Sequence, residues 1–205
     1  MEVRLYQTSD LDTLYDICIR TGHIGEDARA LYRDHKVLGL VFAAPYAAIS
    51  PDLCFVAVSG GRVVGYVVGT DDTRQFEAEM ERRWWPDLRR AYAEPEVARR
   101  ENWSGDEEYA YYFHHPKPLP EAVVSRYPAH LHMNLLPEAQ GQGLGRQLFN
   151  AWREAVLAAG ATRAHIGANR KNLGGRAFWA AMGFEDLTER LNLPEDGAIW
   201  MGQVL

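Results

Sequence analysis

Residues 140–146 read Gln-Gly-Gln-Gly-Leu-Gly-Arg, with Gly141, Gly143 and Gly145 crowded into five positions. A strand-like stretch that Pro137 ends comes before the run, and an amphipathic helix follows it. A strand that feeds a tight glycine turn at a helix start aims several free N–H groups, and the positive end of the helix dipole, at one point. The chemistry of such a point is anion binding. No Lys follows Gly141 or Gly143 at the distance a Walker loop requires, and Arg146 stands where the third glycine of a dinucleotide fingerprint would be. A turn that binds nothing is the plain alternative, but three glycines would then cost ordering entropy for no return. Just upstream, His130 and His132 bring imidazoles, whose intrinsic pKa suits proton transfer near neutrality.

Recognisable elements flank the turn. Leu131, Met133 and Leu135 alternate with His130, His132 and Asn134, the period of a strand with two distinct faces. After the turn, Leu144, Leu148, Trp152, Ala155 and Ala159 form one helical stripe, and Gly160 supplies a left-handed end. Ala164–Ala168 reads as a short buried strand, and Asn172 as the cap of a helix carrying Ala177, Phe178, Ala181 and Met182. Nearer the N-terminus, Val3–Tyr6 reads as a strand, a helix capped by Ser9 or Asp10 runs through Arg20, and a second helix is expected over about 28–36. Two apolar runs around Gly60-Gly61 predict a hairpin, and 199–204 predicts a closing strand. The fold class is α/β (α+β): one mixed central sheet flanked by helices, in a single domain over 1–205.

Gln140, Gly143 and Gly145 spell QxxGxG, which resembles the coenzyme A signature of the GNAT superfamily of N-acetyltransferases. The resemblance implies a GNAT fold, acetyl-CoA as cofactor, and contacts to it from Leu135, Leu136, Gln140, Gly141, Gln142, Gly143, Leu144, Gly145 and Arg146. Asn172, Gly175, Phe178-Trp179 and Gly183-Phe184 resemble a second family motif, in which the Asn touches the pantetheine arm. The family commonly has Tyr at the position of Trp179, where it protonates the departing thiolate. An indole N–H does not act as an acid near pH 7. Stretches including Tyr15–Cys18, Leu31–Asp34, Trp84–Pro86 and Tyr127–Ala129 also resemble the acetyltransferase-like domain of O-GlcNAcases and its stand-alone bacterial relatives.

Between the hairpin and the cofactor strand lies an insertion over about 71–127. Phe76, Met80, Trp84 and Leu88 stand four apart, predicting an amphipathic helix that breaks near Pro86. Its many aromatics argue for an ordered part, either a cover for the sheet or a wall of the acceptor site near Trp84, Trp85 or Trp103. Acetyl transfer to an amine requires a neutral nucleophile, so a base must take a proton. His132 and His130 are the candidates, with Asp27, Glu26 and Asp72 as rivals. Tyr112, Tyr111 and Tyr127 are candidate acids in place of the absent family Tyr. Zinc held by His114, His115, His130 and His132 finds no supporting Cys pattern, so no metal is expected.

The balance of 22 Lys and Arg against 28 Asp and Glu gives a net charge of −6, which disfavours nucleic acid and attracts a cationic amine. Two cysteines do not make a disulfide framework, and neither a signal sequence nor a membrane span is apparent. The expectation is a cytoplasmic monomer or homodimer that transfers acetyl from acetyl-CoA to an amine-bearing small molecule or peptide in a ternary complex. A non-catalytic acetyl-CoA-binding or interaction module is the alternative.

Overall fold

The computed structural model describes residues 1–194 and 198–205. Seven strands, β1 (Glu2–Leu5), β2 (Cys54–Ser59), β3 (Arg62–Thr70), β4 (Ala129–Leu135), β5 (Arg163–Asn169), β6 (Glu185–Asp186) and β7 (Ala198–Val204), form one sheet in the order β1-β2-β3-β4-β5-β7-β6. Every neighbouring pair is antiparallel except β4 with β5. The helices are α1 (Leu11–Arg20), α2 (Gly39–Phe42), α3 (Ala44–Ile49), α4 (Thr73–Arg83), α5 (Trp85–Ala91), α6 (Gly105–His114), α7 (Glu121–Val124), α8 (Leu144–Ala158) and α9 (Leu173–Ala181).

The period-two pattern of the strands sorts the core into two layers. On one face, Val64, Val67, Leu131, Ile166 and Met201 meet Leu144, Leu148, Trp152 and Val156 of α8, with Trp179 of α9 in the same cluster. The α8 stripe is fully buried, and each large side chain in it contributes roughly 1.5–3 kcal/mol of burial. On the other face, Val56, Tyr66 and Val68 meet Leu14 and Ile17 of α1, Tyr46 of α3, Phe76 and Met80 of α4, and Trp85 of α5.

The insertion is helical and bound to the body. The helix predicted from Phe76, Met80, Trp84 and Leu88 is two helices, α4 and α5, meeting at Trp84 two residues before Pro86. The Trp84 indole donates to the carbonyl of Leu40 at 2.9 Å, and Trp85 stacks on Phe113 at 6.0 Å between ring centres. Ser104 and Glu107 close a capping box that starts α6.

Two N-terminal expectations are corrected. No helix spans 28–36; this stretch is a series of turns leading to α2. Its amides find side chains instead of helical carbonyls: the Asp106 carboxylate accepts from the backbone of Arg33 at 3.0 Å and of Asp34 at 2.8 Å, and Asp34 accepts from that of Lys36. Asp10 stands at the N-cap of α1, but its side chain makes no cap bond, because the carboxylate pairs with Arg4 at 2.7 Å and takes the Gln7 amide at 2.8 Å.

Candidate functional site

The parallel pair β4/β5 is joined over a short length only. Ala129 faces Ala164 and His130 faces His165, after which the pairing ends although β4 continues to Leu135 and β5 to Asn169. A gap therefore opens in mid-sheet and exposes unpaired backbone groups along both strands. The direction of one such group follows from its neighbours. The Leu136 amide donates to Val64 on β3 at 2.9 Å, so the Leu135 amide, one residue earlier, points to the opposite edge and into the gap.

The glycine turn lies at the end of this gap. Gly143 has φ +79°, a left-handed conformation that side chains resist, and it precedes the first turn of the fifteen-residue α8. Among the described residues no side chain caps α8, so its first amides, which have no intrahelical partner, are left free. A Cβ on Gly143 would meet nothing within 4 Å, so the space before the turn is open. Gly145 serves another purpose: a Cβ there would come within 3.0 Å of the Phe178 ring, so this glycine lets α9 approach α8. The amides at Gly143, Leu144 and Gly145, with the exposed Arg146 beside them, form a cradle that suits a pyrophosphate.

Other residues expected to touch a cofactor are occupied in building the turn. The side-chain amide of Gln140 donates to the Leu135 carbonyl at 3.0 Å, and that of Gln142 to Glu138 at 2.7 Å. Leu136 is corrected as an amide donor: its N–H is bound to Val64 on β3, and its carbonyl accepts from Ala139. Gly141 carries a second left-handed bend, at φ +71°. Asn172 caps α9 by accepting from the Gly175 amide at 2.8 Å, leaving its side-chain NH₂ available. Trp179 is 8% exposed and packs among Phe149, Phe178 and Phe184.

On the opposite face the gap opens into a cavity of about 520 Å³. The sheet forms its floor through His130, His132, His165, Asn169 and Trp200, and α2–α6 with residues 116–119 form its walls and roof. The insertion is therefore a wall of the cavity as well as a cover for the sheet.

His130 is enclosed. Thr73 Oγ1 lies 2.6 Å from the Pro128 carbonyl and 2.7 Å from His130 Nδ1. Its one proton goes to the carbonyl, so Nδ1 is the donor toward Thr73. Nε2 then carries the lone pair and accepts from the Tyr46 hydroxyl at 2.7 Å. Burial holds the imidazole well below its ordinary pKa, and both nitrogens are committed within the protein. His132 differs. It is half-buried, packs edge-on against Phe42 at 5.3 Å and Tyr46 at 5.4 Å, and burial with the nearby His165 brings its pKa down to about 4. It is neutral at pH 7.

The remaining candidates separate clearly. Tyr112 lines the cavity, with its phenol pKa raised by burial. Asp27 is corrected: it lies on an exposed loop outside the cavity lining, and the hydrogen-bonded Arg29 guanidinium holds its carboxyl near a pKa of about 2, far too low for a base. Glu26 bridges His23 through its backbone on the same loop. Asp72 caps α4 by accepting from Gln75. The Tyr127 hydroxyl accepts from Arg190, and Tyr111 packs on Trp103 and His115. His114 bonds to the Tyr92 carbonyl and His115 to Glu94, both within the insertion.

Sequence reasoning missed His165, Tyr46, Phe42, Glu77, Glu81 and Trp200. His165 left a signal, a histidine inside an otherwise apolar strand. It is fully buried, donates through Nδ1 to the Tyr127 carbonyl at 2.6 Å, and has its pKa lowered to about 4 by burial.

The Acetyltransferase (GNAT) family model matches residues 24–184. This chain belongs to the GNAT acetyltransferase family. It is similar over 99% of its length to 97% of the chain in a crystal structure of SsHAT, with 36% identity and a TM-score of 0.89. More distant matches share the fold. The paia N-acetyltransferase from Thermoplasma acidophilum in complex with coenzyme A is 14% identical with a TM-score of 0.55, covering 100% of this chain and 98% of that one. The putative acetyltransferase yncA from Salmonella typhimurium with its cofactor acetyl-CoA is 16% identical with a TM-score of 0.55, covering 100% of this chain and 94% of that one. The seven-stranded mixed sheet flanked by helices is the GNAT fold, and the insertion between β3 and β4 is built onto it.

Proposed function

We propose that this GNAT protein is an N-acetyltransferase that uses acetyl-CoA and acetylates an amine bound in the cavity beneath the insertion. The observation that carries the reading is the gap between β4 and β5, which runs from the uncapped turn at Gly143 on one side of the sheet to His132 on the other. The α8 amides and Arg146 hold the pyrophosphate, and the gap receives the pantetheine arm beside the side-chain NH₂ of Asn172. The Leu135 amide donates to the acetyl carbonyl as its oxygen gains charge. Acetyl-CoA supplies the acetyl group as a thioester. The amine nitrogen bonds to the acetyl carbon while the carbon–sulfur bond breaks, the nitrogen's proton leaves to His132 and the thiolate takes one from Tyr112, giving an amide and free thiol.

His132 with a pKa near 4 is unprotonated at working pH but is a weak base. Its match to the substrate comes from the cavity itself. The burial that lowers an imidazole also lowers the pKa of a buried ammonium, bringing the two groups together on the scale. His130 positions Tyr46 and closes the floor without exchanging protons with substrate.

Trp179 favours the second reading, a protein that binds acetyl-CoA without turning it over, because a core indole replaces the family phenol. Calorimetry with acetyl-CoA and a thiol-release assay against a broad amine panel decide between the two. Tight binding with release above the hydrolytic background supports the enzyme, tight binding with none supports the binder, and absence of binding overturns both.

A further inference from the structure

We propose that the acceptor is a small primary amine carrying an aromatic ring, with the ring held by the aromatic wall beneath the insertion and the nitrogen delivered to the gap between β4 and β5. The inference rests on the acetyltransferase reading and names the substrate class of that site. Four observations support it.

First, Phe42, Tyr46, Phe76, Trp85, Tyr112 and Trp200 contribute to one lining, so a planar apolar group meets ring edges and faces on several sides. Second, a cavity of about 520 Å³ is the size of a small-molecule site and has room for a one- or two-ring amine.

Third, both carboxylates of the lining are already paired. Glu77 accepts from Arg74 at 2.5 Å and from the Leu119 amide at 2.7 Å, while Glu81 is held by two nitrogens of Arg89 at 2.6 and 2.9 Å. Both nitrogens of His130 have partners as well. The other polar groups of the lining, His132, Asn169, Lys117 and the unpartnered Nε2 of the buried His165, stand among six aromatic rings, so a planar apolar group covers more of this lining than a sugar does.

Fourth, with arginines neutralising both carboxylates, a chain of lysines gains little attraction inside. A single ammonium is accommodated by the aromatic faces. His132 and His165, kept neutral by burial, do not repel it.

Transfer to such an acceptor conserves the balance set out above: one N–H proton is lost, one C–N bond forms, one C–S bond breaks and the thiolate is protonated.

The test is thiol release by the full chain with saturating acetyl-CoA, comparing 2-phenylethylamine and tryptamine with glucosamine and a lysine-containing peptide. The expected result is a kcat/KM for an aromatic amine at least 100-fold above those for the sugar and the peptide. Equal or better turnover of glucosamine or the peptide overturns the aromatic class while leaving the acetyltransferase reading intact. Should no amine turn over although acetyl-CoA binds, the enzyme reading falls, and calorimetric titration of 2-phenylethylamine then judges the cavity separately, with absence of binding overturning this proposal too. Trp85→Leu should raise KM for the aromatic amine about 10-fold without changing acetyl-CoA affinity, and Trp85→Phe should restore it. Unchanged KM in a folded Trp85→Leu variant removes the wall from substrate recognition.

Discussion

The two faces of the sheet are built by opposite strategies. The face of α8 and α9 carries its anion cradle on consecutive residues, where backbone amides at 143–145 do the work and side chains mainly shape the turn. The face beneath the insertion gathers its cavity from segments far apart in sequence: Tyr46 reaches His130 across 84 positions, and Thr73 reaches it across 57. A backbone site is fixed by local conformation, so it tolerates change in whatever lies opposite. A site of distant side chains can be re-specified by altering one roof element. On the proposed reading, one protein keeps a general donor site beside an individual acceptor site.

The largest expected effect strikes the backbone site alone. Gly143→Asp puts a Cβ and a negative charge where φ is +79° and the pyrophosphate is proposed to dock, so acetyl-CoA affinity should fall by about two orders of magnitude or more while circular dichroism stays native. Full affinity in a folded variant would break the contrast at its root.

Next, His132→Gln should lower kcat by roughly 10²-fold, the usual scale of general-base catalysis, with acetyl-CoA binding unchanged. The pH profile sharpens this test. Because burial brings His132 down to about 4, the acid limb of kcat/KM should lie near that value rather than near the ordinary imidazole pKa of about 6.5. A limb at 6.5 that survives in His132→Gln assigns the proton to another group.

A third prediction concerns the floor. In Thr73→Val the His130 Nδ1–H loses its partner while the Pro128 carbonyl keeps the residue-73 backbone amide, and the variant should be less stable by about 1–3 kcal/mol in denaturant unfolding. The same floor sets an acid sensitivity. His130, His132 and His165 all have folded pKa values below the unfolded one of about 6.5, so the unfolded chain binds more protons between the two. Stability should be full above pH 6.5 and decline as pH falls toward 4, by up to about 1.4 kcal/mol per pH unit for each histidine. A flat stability curve over that window would show that these rings are more solvated than their packing implies.

The smallest effect belongs to Trp179→Tyr. The indole is a core group, so the phenol restores the family's side chain at the cost of some packing against Phe149 and Phe184. A modest gain in kcat would mean that the thiolate is still short of an acid. No gain would agree with Tyr112 supplying it.

The legible part of the molecule is the part that depends on neighbours in the chain. The turn at 140–146, the Asn172 cap and the amphipathic start of the insertion all declare themselves through spacing within a few residues. The stretch at 28–36 misled because Asp106, more than seventy residues away, supplies the partners that an isolated reading assigns to a helix. Asp27 misled for the reverse reason: an acid on a loop resembles a base until Arg29 is seen to hold it. Tyr46 and Trp200 carry no local mark and His165 only that of a histidine in an apolar strand: the register of β4, β5 and β7 brings His165 and Trp200 to one floor, and α3 lays Tyr46 on His130.

The insertion also bears on how the chain finds its shape. β3 and β4 pair side by side, Thr70 opposite His130, although sixty positions of sequence must be gathered before they meet. Closing so long a loop as slack polymer is entropically costly, and the cost falls when the loop has condensed into helices beforehand. During synthesis the chain emerges from its N-terminus, so Arg33 and Asp34 are made before Asp106, whose carboxylate then accepts from their amides. α4, α5 and α6 are therefore positioned to act as an internal clamp that shortens the search, and weakening the Asp106 anchor should slow the pairing of β4 more than it loosens the finished protein.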